Sequence, residues 1–88
     1  MKLKYYTVNL KNSKKPEWLL RLCLILSQNG ECVKSLNELK NIINEMIDDF
    51  YFAGKINSEV YTEIVKDEGI EKIHILRNDR PVLICWFE

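Results

Sequence analysis

Glycine and proline are scarce in this chain, at three and two of 88 residues. The glycines Gly30, Gly54 and Gly69 stand alone, so neither the Walker nor the dinucleotide spacing of a phosphate-cradling loop is present. Nothing reads as a flexible linker, a repeat or a low-complexity segment. Histidine occurs once, as His74, and any imidazole chemistry therefore rests on one side chain. Cysteine occurs three times (Cys23, Cys32, Cys85), an odd number without a C-x-x-C pair. That argues against a secreted disulfide scaffold and for reduced thiols inside a cell, so a cytoplasmic location is the expectation. The longest apolar run near the start, Trp18 to Leu26, is nine residues interrupted by Arg21, too short to span a bilayer. The lysines before it resemble a signal-peptide start, but no small-residue cleavage site follows Leu26.

Net charge is also missing, but only in the sum. Residues 1–40 carry eight Lys/Arg against three acids, and residues 41–88 carry five against ten. The halves, at +5 and −5, either interleave on a folded surface or make it dipolar, with an acidic side that steers toward a basic partner. Apolar content of 47% and charged content of 30% are those of an ordinary folded protein. At this length we expect a single compact domain over 1–88.

Lys2 to Leu10, "KLKYYTVNL", is rich in Tyr, Thr and Val and reads as a strand, broken by the polar "KNSKKP". Pro16 suits the first position of a helix, and the Leu-rich segment behind it leaves only Glu17, Arg21, Leu24 and Gln28 for water, ending at Asn29-Gly30. Ser35 to Glu38, "SLNE", is a capping box. After it, Leu36, Leu39, Ile42, Ile43, Met46, Ile47, Phe50 and Tyr51 line one face of a helix that Gly54 ends. The segment 58–68 fits a short helix or a strand, and its Val, Tyr, Thr and Ile content favours the strand. "IEKIHILR" and "PVLICWF" are strands joined by a tight turn at Asn78-Asp79. The expected fold is α+β: an N-terminal strand, two helices, then a three-stranded antiparallel meander with the helices packed on one sheet face.

The segment Val82 to Phe87 is apolar at every position, whereas a half-solvated antiparallel strand alternates. A regular two-residue hairpin pairs Ile75 with Val82, Ile73 with Ile84 and Glu71 with Trp86. The helices then cover Ile73, Ile75, Val82, Ile84 and Trp86, and leave Leu83, Cys85 and Phe87 on the second face. Burying three such side chains is worth about 5–8 kcal/mol, so something covers them: the chain itself, a second copy, or another protein.

Searches for chemistry return weaker signals. In that regular register His74 and Cys85 share a face, the minimum for a thiolate–imidazole pair. Cys23, Cys32, Cys85 and His74 number four, as zinc requires, but lack paired ligand spacing. No cofactor is implied. Two helices and a hairpin suggest a winged helix, yet the second helix carries Glu38, Glu45, Asp48 and Asp49, which phosphate repels. The hairpin "ILRNDRPVLI" resembles the strand–turn–strand of antitoxins of the Phd/YefM type, without their turn glycine, which implies a DNA-binding regulator as the alternative reading. The favoured expectation is a non-enzymatic, regulatory or inhibitory protein-binding module whose partner is another protein, a second copy of itself, or both. Nucleic acid is disfavoured, no membrane is involved, and a small enzyme built on Cys85 and His74 is the least favoured alternative. Its expected contacts are Leu83, Cys85 and Phe87, with Glu45, Asp48 and Asp49 of the long helix as a second candidate. Small inhibitors of nucleases use acidic surfaces in this way.

Overall fold

The computed structural model describes residues 2–10 and 15–88, with backbone alone at Asn29 and Glu31. Of the polar break expected over 11–16, residues 11–14 lie outside the described residues. The elements follow in the order β1 (Leu3–Thr7), α1 (Glu17–Asn29), a 3₁₀ turn (Gly30–Cys32), α2 (Leu36–Phe52), β2 (Val60–Asp67), β3 (Ile70–Arg77) and β4 (Arg80–Phe87). The strands form one antiparallel sheet in the order β1-β4-β3-β2. The class is α+β, with helices packed on one side of the sheet, as the sequence pattern implies. The ambiguous segment after Asn57 is strand β2.

Local chemistry accounts for most element boundaries. Ser35 caps α2 by accepting from the Glu38 N–H at 3.1 Å, while the Glu38 carboxylate reaches back to the Lys34 N–H at 3.2 Å. At the other end Gly54 takes φ +71, and the Lys55 and Gly54 N–H groups bond to the Phe50 and Tyr51 carbonyls. These two bonds are the Schellman pattern, which favours a residue without a Cβ. Both hairpin turns have two central residues at positive φ: Glu68 and Gly69 at 52° and 82°, Asn78 and Asp79 at 52° and 67°. That is the type I′ geometry, whose twist matches the flanking strands.

Gly30 departs from expectation. It is not a left-handed cap but continues helically at φ −59°. Its role is space: a Cβ there would lie 3.0 Å from the Leu3 Cβ and closer still to the end of that side chain. The glycine lets the end of α1 approach β1. The helix is also less enveloped than its sequence suggests, because Leu20 is half exposed beside Leu24.

The core lies between the helices and one sheet face. Trp18, Leu19, Leu22, Cys23 and Leu26 of α1 meet Leu39, Ile43 and Ile47 of α2 over Ile73, Ile75, Leu83 and Cys85. Polar links fix α2 to β2. Thr62 donates to the Asn44 side-chain oxygen at 2.7 Å, and the Tyr51 hydroxyl donates to the Ser58 carbonyl while accepting from Val60 N–H at 2.6 Å. Tyr51→Phe strands both backbone groups and is expected to cost about 1–3 kcal/mol, seen as a fall in the urea midpoint with unchanged slope. An unchanged midpoint would show that water replaces the hydroxyl at no cost.

Candidate functional site: the open face of the sheet

The register between β3 and β4 decides which side chains reach solvent. It starts as the hairpin requires, with Arg77 opposite Arg80 and Leu76 opposite Pro81. It then shifts: Ile75 pairs with Leu83 and Ile73 with Cys85, leaving Val82 as an extra residue on β4. This is a β-bulge, sited next to a proline that has no N–H to give the ladder. Val82 is buried all the same, and its carbonyl accepts from Val8 of the segment following β1.

One extra residue reverses the faces of everything beyond it. The regular pairing expected from the sequence is therefore corrected. Leu83 and Cys85 are fully buried under the helices, and Phe87 packs against the same core. Leu83 and Cys85 are covered by their own chain and offer no contact surface in this fold, while Phe87 is half-buried. Ile84 and Trp86, expected beneath the helices, lie on the opposite face with Lys72, His74 and Leu76.

That face has no element packed over it among the described residues. Its centre is apolar and aromatic. Tyr6 meets Trp86 edge to face, with ring centres 5.6 Å apart. Tyr6 is directly opposite Ile84, which is in turn opposite His74. Ile84 and Leu76 are buried to 8% and 7% exposure, yet neither belongs to the core between helices and sheet. Their own neighbours on the face shield them, and Tyr6 stays 44% exposed.

Charges frame this centre. Lys4 is opposite Trp86 on β1 and pairs with Glu88 at 3.8 Å. Lys72 lays its ammonium 4.7 Å from the centre of the Trp86 ring and contacts Asp67 at 3.3 Å. Its side chain is only 15% exposed, so the methylenes cover apolar surface while the charge rests on the ring. Glu63 is opposite His74 on β2. At the turn end Tyr61 donates to Asp79 at 2.8 Å, and this bond, with desolvation and nearby carboxylates, raises the phenol above its ordinary pKa.

The remaining expected site residues do not converge. Glu45, Asp48 and Asp49 are exposed on the solvent side of α2, away from the sheet, whereas Glu63 and Asp67 are on the open sheet face. The acidic set is thus divided between two sides of the molecule. Cys85 and His74 project to opposite faces of the sheet, which removes the thiolate–imidazole pair. Burial pushes the Cys85 thiol up to about 12, with the neighbouring Cys23 thiol adding to the rise, and Cys23 itself is raised chiefly by burial. Cys32 is exposed on the 3₁₀ turn, far in kind from the two buried thiols, and no group of three metal-ligating side chains occurs among the described residues. No described helix is long and apolar enough to cross a membrane. Sequence reasoning missed Ile84 and Trp86 as residues of the open face because the signal for them was the Pro81 bulge.

Comparison with family models, with curated proteins and with solved structures yields no match to this chain.

Proposed function

We propose that this chain is a non-enzymatic protein-binding module, of regulatory or inhibitory kind, whose contact surface is the open face of the sheet. The observation that carries the reading is the arrangement around Trp86. An aromatic and aliphatic centre of Tyr6, Ile84, Trp86 and Leu76 is enclosed by charged side chains of both signs. Apolar centres with polar rims, anchored by Trp and Tyr, are the anatomy of protein contact surfaces.

The rival readings have less behind them. A cysteine nucleophile needs a low pKa and a base beside it, and Cys85 has a raised pKa with His74 on the far side of the sheet. A nucleic-acid platform would leave its aromatic ring faces free for bases, whereas the Trp86 ring carries Lys72, and carboxylates sit at the rim. The exposed side of α2, the reading helix of a winged-helix alternative, is acidic.

The test is affinity capture from extract of the source cells with three immobilised forms: wild type, Trp86→Asp, and Asp48→Lys/Asp49→Lys. The module reading expects at least one protein, added free copies of this chain included, to be retained by wild type and by the α2 variant but lost with Trp86→Asp. Identical retention by wild type and Trp86→Asp, with both folded by circular dichroism, would refute the open face as the contact surface.

A further inference from the structure

Resting on that reading, we infer that the occupant of the open face is a second copy of this chain, packed face to face about a twofold axis that runs along the strands. Charge on the two edges of the face selects this occupant. The β1 edge of the face carries Lys4, with Lys2 bonded through its backbone to Glu88 beyond the strand end. The β2 edge carries Glu63, opposite His74, and Asp67, opposite Ile70. The two outer strands thus present opposite signs on the same face, with the Trp86, Ile84 and Leu76 strip between them.

A twofold contact is isologous: whatever residue i meets in the second copy meets i in return. Two sheets stacked face to face admit a twofold axis in the plane between them, either along the strands or across them. An axis along the strands, between β4 and β3, lays β1 of each copy over β2 of the other. Lys2 then lies level with Asp67, and Lys4 lies between Asp67 and Glu63, twice over, and β4 of each copy covers β3 of the other. An axis across the strands instead lays β1 over β1 and sets lysine against lysine at one edge and carboxylate against carboxylate at the other. Charge selects the first arrangement. The apolar strip closes on itself in the same movement, removing Trp86 and Tyr6 from water at both copies, and the helices remain on the two outer surfaces. Face-to-face stacking at about 10 Å is the ordinary way two antiparallel sheets share a core.

The experiment is mass in solution by light scattering over a dilution series from about 100 μM downward. It compares wild type with Tyr6→Asp, Lys4→Glu, Glu63→Lys and the Lys4→Glu/Glu63→Lys pair, each shown to be folded by circular dichroism. The expected results are a wild-type mass twice the 10.5 kDa of one chain, and a monomer for Tyr6→Asp. Each single charge reversal weakens the dimer about tenfold or more, and the paired reversal restores it. Loss of the in-chain Lys4–Glu88 contact does not confound the series, because so exposed a pair contributes little to stability. A wild-type monomer throughout the series overturns the second copy as occupant, while loss of captured proteins with Trp86→Asp would still uphold the face. A wild-type dimer untouched by Tyr6→Asp overturns the occupant and counts against the face as well. A dimer that Tyr6→Asp breaks but charge reversal does not affect overturns the axis along the strands.

Discussion

Leu83→Ala is expected to lower stability by about 2–5 kcal/mol, and Leu83→Asp to leave the chain unfolded. Leu83 is fully buried, opposite Ile75 and beneath both helices, so truncation opens a cavity in the middle of the core. A carboxylate there has no partner. A residue three positions further along the same strand behaves differently. Trp86→Ser, on the open face, is expected to remain folded, losing the edge contact with Tyr6 and the Lys72 ammonium over its ring. Urea unfolding of the two variants reads the difference directly. If Leu83→Ala costs less than 1 kcal/mol while Trp86→Ser unfolds the chain, the two faces have been assigned the wrong way round.

The second large effect is on the pH dependence of stability. The Cys85 thiol has an ordinary value near 9, and burial in the fold pushes it up to about 12. A group whose folded pKa is raised contributes stability that is complete below its unfolded pKa and is lost as pH rises through the folded one. The window here runs from about 9 to about 12. Three pH units correspond to about 4 kcal/mol at the top of the window, and about 3 kcal/mol of it is gone by pH 11. Lysines and tyrosines titrate in the same range, so the comparison is made against Cys85→Ala. The wild-type advantage over that variant is expected to shrink by about 3 kcal/mol between pH 8 and pH 11. A constant difference would place the thiol in contact with water. The same burial predicts that at neutral pH a thiol reagent labels Cys32 alone, with Cys23 and Cys85 reacting only once the chain unfolds.

Much of this fold is written locally. The Ser35–Glu38 cap, the apolar stripe of α2, the Gly54 terminus and the Asn78-Asp79 turn each follow from a few adjacent residues, and each stands in the structure as its residues imply. The β-branched and aromatic content of 60–67 outweighed its weaker helical pattern for the same reason. What short-range pattern does not contain is the shift at Val82. In a chain segment that is apolar at six consecutive positions, alternation carries no information about which side is inward, so the face assignment rested on assumed regular pairing. Pro81 was visible, and its missing N–H marks a place where a ladder breaks. Whether the break absorbs a residue depends on the packing of Leu83 and Cys85 under two helices, a long-range matter. The candidate site inherited that error, because Leu83, Cys85 and Phe87 exchange places with Ile84 and Trp86 when one residue is added. Gly30 shows the same limit: its sequence position suits a helix cap, but its purpose is the approach of Leu3, which is distant along the chain.

The place of Trp86 on the open face depends on the register beyond the bulge, and cross-strand nuclear Overhauser contacts measure that register directly. The structure predicts contacts that link Ile75 with Leu83 and Ile73 with Cys85 across β3 and β4, and Tyr6 with Ile84 across β1 and β4. Contacts linking Ile73 with Ile84 and Glu71 with Trp86 would contradict it, returning Leu83 and Cys85 to the open face and removing Trp86 from the centre of the proposed contact surface.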